Sequence, residues 1–157
     1  MIKKHFYNWK DIEKMCVNIV SQMYKDNWRP DYIVGITRGG NIPATIISNM
    51  TGIRCEALKV SLRDDDTLSE SNSLMALDAH KGKNILIVDD INDTGATFNW
   101  IMQDWNLNLE KHNVRFATLT ENLSSEFVNT NYCVHEVNKA EQDVWLVYPW
   151  ENVGVYG

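Results

Sequence analysis

Apolar and polar positions alternate along the chain in a pattern that predicts strands separated by helices. Short runs rich in apolar residues predict buried strands. These runs span residues 32–36, 54–60, 84–88, 114–120 and 132–137. Apolar residues also recur at helical spacing from Ile12 to Met23, from about Ile42 to Met50 and from Phe98 to Trp105. Strands that alternate with helices indicate parallel βαβ units, so we predict an α/β fold with a mostly parallel central sheet flanked by helices.

The pattern changes between Ser61 and Lys83, where polar residues dominate and the apolar residues show little periodicity. In a compact domain, a long segment of this kind is often a functional loop. We therefore predict a flexible lid over about residues 61–76. Composition alone leaves a disordered insertion open as the alternative.

Size, composition and charge restrict the class of protein. The 157 residues fit a single domain, which we expect to span residues 1–157. No apolar run reaches the ~20 residues of a membrane span, and nothing resembles a signal peptide. Three cysteines at irregular spacing fit neither a disulfide framework nor a zinc site. The net charge of -6 disfavours a nucleic-acid partner. We expect a cytoplasmic protein with reduced thiols and no membrane or nucleic-acid partner.

The segment from Ile85 to Thr97 carries the most specific chemical signal. Its apolar run leads directly into three acids, Asp89, Asp90 and Asp93. Ligands of open α/β sheets bind beyond the carboxyl ends of the strands. The sequence therefore predicts a binding site at this turn.

The second part of this segment, Thr94, Gly95, Ala96 and Thr97, opens a helix. The first amides of a helix lack internal partners, and together with a glycine and two hydroxyls they form a cradle for phosphate. The acids would repel a phosphate, so they must face vicinal hydroxyls or a hard cation such as Mg²⁺. A ribose 5-phosphate that carries a Mg²⁺-bound diphosphate supplies all of these features.

The whole segment resembles the phosphoribosyl diphosphate signature of the type I phosphoribosyltransferases, in which an apolar run precedes two acids, two variable residues and Asp-Thr-Gly. The resemblance implies the type I fold, with a lid loop and a small C-terminal hood that binds the base. Bacterial receiver domains also place two acids after a strand, but 84 residues precede Ile85 and no strand-ending Asp follows before Asp143. A solvated acidic turn without a ligand is the second alternative.

A second loop, Thr37-Arg38-Gly39-Gly40, follows another predicted strand. Its glycines free the backbone and Arg38 supplies a fixed charge, although a Gly-Gly pair is often only a tight turn. In the type I enzymes the corresponding loop binds the diphosphate. The resemblance also implies a cis peptide at the Arg38-Gly39 step.

Residues 143–157 resemble the base-binding segment of the bacterial xanthine-guanine phosphoribosyltransferases, and related archaeal hypoxanthine enzymes are also similar. The resemblance makes Trp145 the platform on which the purine stacks, and it makes Leu146 the residue that reads the purine edge through its backbone. A tryptophan packed in the core is the alternative.

Three residues depart from the pattern of these relatives. Asn122 stands where they have a lysine that donates to the purine 6-oxygen. Arg63 replaces a tyrosine of the lid, where it is placed to reach the diphosphate. Glu151 replaces an aspartate, and a longer carboxylate can still hold a water of Mg²⁺.

The resemblance implies a Mg²⁺-dependent transfer of the 5-phosphoribosyl group from phosphoribosyl diphosphate to guanine, xanthine or hypoxanthine, as in purine salvage. Asp93 is then the general base, and Asp89, Asp90 and Glu151 are the residues expected to hold the metal. We also expect a homo-oligomer, either a dimer or a tetramer. A regulator that senses phosphoribosyl diphosphate without catalysis, or a transferase for another nucleobase, is the alternative.

Overall fold

Five parallel strands form the central sheet, and helices cover both of its faces. The computed structural model describes residues 2–62 and 70–156. Its elements are β1 (Lys3–Phe6), α1 (Trp9–Lys25), β2 (Tyr32–Ile36), α2 (Asn41–Thr51), β3 (Cys55–Leu58), α3 (Glu70–His80), β4 (Ile85–Asn92), α4 (Ala96–Asp104), β5 (Val114–Asn122), β6 (Tyr132–Val137) and β7 (Val144–Val147). The five predicted strands are all present, and β4 and β5 extend beyond their apolar runs into the predicted site.

The order of the strands, β3-β2-β4-β5-β6, creates a reversal point between β2 and β4. β2 leads through α2 to β3 on one side, whereas β4 leads through α4 to β5 on the other side. A reversal of this kind opens a crevice at the carboxyl ends of the two strands. Since Gly35 is paired with Val88, the two loops that follow these strands lie side by side.

The side chains of β4 alternate between two apolar cores. Ile85 and Ile87 pack in the core that includes Phe98 of α4, whereas Leu86 and Val88 pack in the core beneath α1 and α2. All four β4 side chains are fully buried. Burial of each aliphatic side chain contributes about 1.5 to 3 kcal/mol. The strand that carries the predicted site is therefore anchored from both faces of the sheet.

The first two helices begin and end where their sequence indicates. The Asn8 side chain accepts a hydrogen bond from the Asp11 N–H at 2.7 Å, and the Asp11 carboxylate accepts one from the Asn8 N–H at 2.9 Å. This capping box fixes the start of α1. Gly52 follows α2 with a φ of 77°, a left-handed conformation that glycine adopts readily.

A second sheet joins the two ends of the chain, and the sequence analysis predicted neither of its strands. β1 pairs with β7 in parallel, with Lys3 opposite Val144 and Phe6 opposite Val147. All four β1 residues are exposed, so no buried run marks the strand in the sequence. The C-terminal base-binding segment therefore rests on residues from the N-terminus.

The prediction of a lid over residues 61–76 is wrong for its second part, because α3 begins at Glu70. The polar residue Asn72 is buried, where its carbonyl accepts a hydrogen bond from Trp105 Nε1 at 2.7 Å. Leu74 and Leu77 are about half exposed. This inverted pattern explains why helical periodicity was not recognisable. Residues 63–69, which include Arg63, lie outside the described residues.

Within the described parts of the chain, no helix has both the length and the apolar character needed to cross a membrane. Cys16, Cys55 and Cys133 are free thiols, as the sequence predicted. Burial raises the pKa of Cys16 to about 12 and that of Cys133 to about 11, which makes both thiols poor nucleophiles at neutral pH.

Candidate active site

The carboxyl end of β4 and the turn after it border a hollow of about 190 Å³ at the reversal point of the sheet. The lining includes the three acids of the predicted site and all four residues of the predicted phosphate cradle. These residues are Asp89, Asp90, Asp93, Thr94, Gly95, Ala96 and Thr97. The structure therefore brings them together as the sequence analysis expected, and their binding roles stay predictions.

Two of the carboxylates are crowded and partly buried. Asp89 Oδ1 accepts a hydrogen bond from the Asp90 N–H, and Asp90 Oδ1 accepts one from the Ile91 N–H, each at 2.8 Å. Burial, and then the negative charge of Asp90, raises the pKa of Asp89 well above its ordinary value. Burial also raises the pKa of Asp90. Hydroxyl donors or a cation would stabilise the ionised pair.

The donors around this pair are compatible with Mg²⁺. The charge of Glu151 contributes to the raised pKa of Asp90, and Glu151 Oε1 accepts a hydrogen bond from the Tyr148 N–H at 3.1 Å. In residues 2–62 and 70–156, no three His, Cys, Asp or Glu side chains form a preformed metal centre. Mg²⁺ commonly binds one or two carboxylates, substrate phosphates and water. The residues present therefore fit Mg²⁺ that binds together with a diphosphate.

The loop of residues 37–40 packs directly against the acids, and this packing requires its two glycines. A Cβ atom on Gly39 would lie 2.1 Å from Asp90 Oδ2, and one on Gly40 would lie 2.5 Å from the Val88 carbonyl oxygen. The cis peptide joins Thr37 and Arg38, one residue before the expected step. Arg38 is exposed, with its loop beside the carboxylates.

Gly95 also has a packing role that was not inferred from the sequence. Its φ is 94°, and a Cβ atom there would lie 2.5 Å from the Phe127 N atom and 2.8 Å from Ser125 Oγ. The Thr94 carbonyl accepts a hydrogen bond from the Glu126 N–H at 2.9 Å. The glycine is therefore needed because residues 125–127 pack against the turn from behind, whatever ligand lies in front.

A buried polar network supports this turn, and the sequence analysis missed it. Asn92 Nδ2 donates to Glu121 Oε2 at 2.8 Å and to the Phe127 carbonyl at 2.9 Å. Ser125 Oγ donates to Asn92 Oδ1 at 2.8 Å, and Thr118 Oγ1 donates to Glu121 Oε1 at 3.1 Å. Burial raises the pKa of Glu121. The recognisable signal is a polar residue near the carboxyl end of each of two neighbouring strands, Asn92 in β4 and Glu121 in β5.

An unexpected cation, Lys139, lies beside the predicted general base. Lys139 Nζ is 3.1 Å from Asp93 Oδ1. The buried Asn122 donates from Nδ2 to the Asp93 carbonyl at 2.8 Å, and its Oδ1 accepts from the Lys139 N–H at 3.0 Å and from Ser124 Oγ at 2.9 Å. We expected Asn122 to contact the substrate, but these bonds favour a role in holding Asp93 and Lys139 in place.

The two residues of the base-binding segment lie on β7. The Trp145 side chain is 56% exposed, so the alternative of a packed core tryptophan is wrong. The carbonyls of Asp143 and Val147 accept hydrogen bonds from the Lys3 and Tyr7 N–H groups of the N-terminal segment. Backbone groups alternate in direction along a strand, so those of Leu146 point toward the opposite edge of β7. This orientation is suitable for reading a ligand through the backbone.

The candidate site therefore has two parts. We call residues 37–40 and 89–97 the sugar half. The base half consists of Asn122, Lys139, Trp145 and Leu146. The bond between Asp93 and Lys139 connects the two halves.

A larger hollow, of about 980 Å³, lies at the amino ends of the strands, next to His80 and His112. His80 Nε2 is 2.7 Å from the Trp105 carbonyl and must carry its proton, whereas His112 Nδ1 accepts a hydrogen bond from the Asn108 N–H at 2.9 Å. Neutral His112 then carries its proton on Nε2.

Comparison with known proteins agrees with this geometry. A family model described as phosphoribosyl transferase domain matches residues 3–149. The chain belongs to this family. The phosphoribosyltransferase fold accounts for the position of the two loops at the reversal point of the parallel sheet.

Three phosphoribosyltransferases are similar to this chain in sequence or in structure. Xanthine phosphoribosyltransferase 1 of Saccharomyces cerevisiae is 26% identical, over 95% of this chain and 90% of the yeast protein. The hypoxanthine-guanine phosphoribosyltransferase of Schizosaccharomyces pombe is 25% identical, over 93% and 88%. The crystal structure of a purine phosphoribosyltransferase from Pyrococcus horikoshii superimposes with a TM-score of 0.71 at 21% identity and covers 99% of both chains.

Proposed function

We propose that the protein transfers the 5-phosphoribosyl group from phosphoribosyl diphosphate to a 6-oxopurine and releases diphosphate. The observation that carries the proposal is the hollow at the reversal point, which is bordered by three carboxylates and by a turn that opens a helix. A phosphate ester next to vicinal hydroxyls matches this combination of donors and acceptors. The exposed side chain of Trp145 is the platform on which guanine, xanthine or hypoxanthine stacks in this proposal.

The sugar half binds and orients the donor. The amides and hydroxyls of Thr94 to Thr97 bind the 5-phosphate, because the first turn of a helix attracts anions. Asp89 and Asp90 accept hydrogen bonds from the ribose hydroxyls and place negative charge beside the anomeric carbon, which becomes cationic as the diphosphate leaves. Charge placed in advance at such a centre is one of the strongest sources of rate enhancement.

The loop of residues 37–40 serves the leaving group. Its amides and Arg38 contact the diphosphate on the other side of the ribose. Asp89, Asp90 and Glu151 are the residues that would hold Mg²⁺, which would supply positive charge to the leaving diphosphate. Leu62 borders the same hollow and helps to exclude water from the reaction, because water would hydrolyse the donor.

Asp93 accepts the proton of the acceptor. As one purine nitrogen forms its bond to the anomeric carbon and the bond to diphosphate breaks, the N–H proton of the base becomes acidic. The Asp93 carboxylate takes this proton and later releases it to water. The transfer is favourable because the proton leaves a nitrogen that is becoming positively charged. Trp145 and the Leu146 backbone hold the base during the transfer.

The proposal extends to the context of the enzyme. Transfer of phosphoribosyl groups to free purines serves purine salvage, and the thiol chemistry is compatible with a cytoplasmic protein. We propose that the protein works as a homo-oligomer, either a dimer or a tetramer.

The test is a panel of nucleobases mixed with the protein, Mg²⁺ and phosphoribosyl diphosphate, in which diphosphate release is followed. Release that depends on guanine, xanthine or hypoxanthine is the expected result. Release with adenine or a pyrimidine alone would identify another acceptor. Binding of phosphoribosyl diphosphate without release for any base would identify a regulator on the same fold.

A further inference from the structure

Lys139 lies in the candidate site, and the proposed mechanism gives this lysine no role. Its ammonium group lies 3.1 Å from Asp93 Oδ1, and its side chain is only 26% exposed. Lys139 comes from the link between β6 and β7, and β7 carries the stacking platform Trp145. The lysine therefore contacts the proposed base catalyst and belongs to the segment that leads to the proposed base platform.

The position of Lys139 is fixed by the backbone and does not depend on the ion pair alone. Asn122 is 5% exposed, and its Oδ1 accepts the Lys139 N–H at 3.0 Å while its Nδ2 donates to the Asp93 carbonyl at 2.8 Å. One buried amide thus holds both charged residues. Partly exposed ion pairs contribute only about 0 to 1 kcal/mol to the stability of the fold. Stability alone therefore does not account for the ion pair of Lys139 and Asp93.

The ammonium group retains donors after it has paired with Asp93. A lysine ammonium carries three N–H donors and no acceptor, whereas an ionised carboxylate only accepts. Next to each other, the two groups present a donor and an acceptor about one hydrogen-bond length apart. The complementary edge of a heterocycle has a carbonyl oxygen beside an acidic ring N–H.

We propose that Lys139 is the specificity-determining residue for the acceptor, because its ammonium donates to the carbonyl oxygen beside the ring N–H whose proton passes to Asp93. This inference rests on the proposed transferase function and names the residue that selects oxopurines within it. An aminopurine such as adenine presents an N–H donor in place of the carbonyl oxygen. The ammonium would then face a donor, and a buried polar contact of this kind is a strong source of rejection.

The variants Lys139→Met and Lys139→Arg test the proposal. Met keeps the length of the side chain but has no donor, whereas Arg keeps the charge. Lys111→Met is the matched control, because Lys111 is exposed and lies near the amino ends of the strands, beside the larger hollow. For each variant, kcat/KM is measured with hypoxanthine and with adenine, and the dissociation constant of phosphoribosyl diphosphate is measured separately.

We expect Lys139→Met to lower kcat/KM for hypoxanthine by about 10- to 100-fold, the range of a hydrogen bond to a charged group. The ratio of hypoxanthine to adenine should fall by a similar factor, and the affinity for phosphoribosyl diphosphate should stay within about threefold of the wild type. Lys139→Arg should recover part of the ratio. Lys111→Met should match the wild type in all three measurements.

Two results would overturn the inference, and they can be told apart. If the wild type transfers to oxopurines and Lys139→Met keeps the same ratio of hypoxanthine to adenine, Lys139 does not select the acceptor and the proposed function stands. If the wild type releases diphosphate with no base in the panel, the proposed function and the inference both fail.

Discussion

The sugar half and the base half of the site differ in how the chain builds them. Each part of the sugar half is a contiguous segment at or directly after the carboxyl end of one strand of the five-stranded sheet. The base half takes single residues from the end of β5, from the link after β6 and from β7. A short segment is therefore enough to specify the sugar half, whereas the base half exists only once distant parts of the chain have met.

The two halves also rest on supports of different strength. β4 is buried from both sides, whereas β7 pairs with the exposed strand β1 in a sheet that has two strands among the described residues. Isolated pairs of strands are marginal in stability and depend on packing against other elements. Substitutions in the sugar half should therefore affect ligand binding and folding together, and substitutions in the base half should affect ligand choice.

The largest expected effect is at Asp93, where the halves meet. Asp93→Asn keeps the carbonyl that Asn122 contacts but removes the proton acceptor, so kcat should fall by about 100- to 1000-fold. The affinity for phosphoribosyl diphosphate, measured by calorimetry, should be nearly unchanged. Equal losses of turnover and of donor affinity would assign Asp93 to sugar binding and remove it from the role of general base.

A smaller loss is expected when the sugar half alone is disturbed. Gly39→Ala places a methyl group against the Asp90 carboxylate, and kcat/KM for phosphoribosyl diphosphate should fall by about 10- to 100-fold. The KM for the purine should stay within about threefold. Gly154→Ala is the control, because a Cβ atom there meets no atom within 4 Å. A variant Gly39→Ala with normal kinetics would show that the loop does not depend on this contact.

Gly95 tests the support behind the turn. Gly95→Ala and Gly82→Ala both force alanine into a positive φ, 94° and 90°, but only at Gly95 would the Cβ atom collide with Phe127. We expect Gly95→Ala to lose about 1 to 3 kcal/mol more unfolding free energy than Gly82→Ala, as is usual for overpacking. Denaturant unfolding measures the difference. Equal losses in the two variants would mean that left-handed strain alone matters at Gly95.

The smallest effect concerns stability against pH in the free protein. Since the pKa of Asp89 is raised on folding, the carboxyl group supports the folded state fully only below its ordinary pKa of ~3.9, and this support is lost as the pH rises through the folded pKa. Asp89→Asn should therefore raise Tm at pH 7 by a few degrees, which corresponds to about 1 kcal/mol.

The gain in Tm from Asp89→Asn should shrink toward pH 4. Asp143→Asn, at an exposed carboxylate, is the control and should leave the pH profile unchanged. A lower Tm for Asp89→Asn at pH 7 would contradict the destabilising effect of the crowded carboxylates.

The same contrast explains what could be predicted from the sequence. The strand of Ile85 to Val88 was predictable because every side chain enters one of two cores, and the turn that follows carries its chemistry in consecutive residues. Lys139 was not predictable, because its contact with Asp93 depends on the register of β5 and β6 and on the hydrogen bonds of Asn122.

Two elements were missed for a different reason, since their residues do not follow the usual pattern of burial. In α3 a hydrogen bond to Trp105 buries Asn72 while Leu74 and Leu77 are exposed. In β1 every residue is exposed, and the strand is defined only by its pairing with β7. Both features depend on partners that are distant in sequence.

The most direct test of the central claim is an NMR titration of the protein with phosphoribosyl diphosphate and Mg²⁺, with no purine present. The account predicts that the amide signals of residues 38–40 and 94–97 shift together with one dissociation constant, and that those of residues 106–112, at the larger hollow, do not move. Shifts confined to residues 106–112, or no shift in either loop at millimolar ligand, would contradict the assignment of the sugar half as a binding site for a phosphorylated ribose.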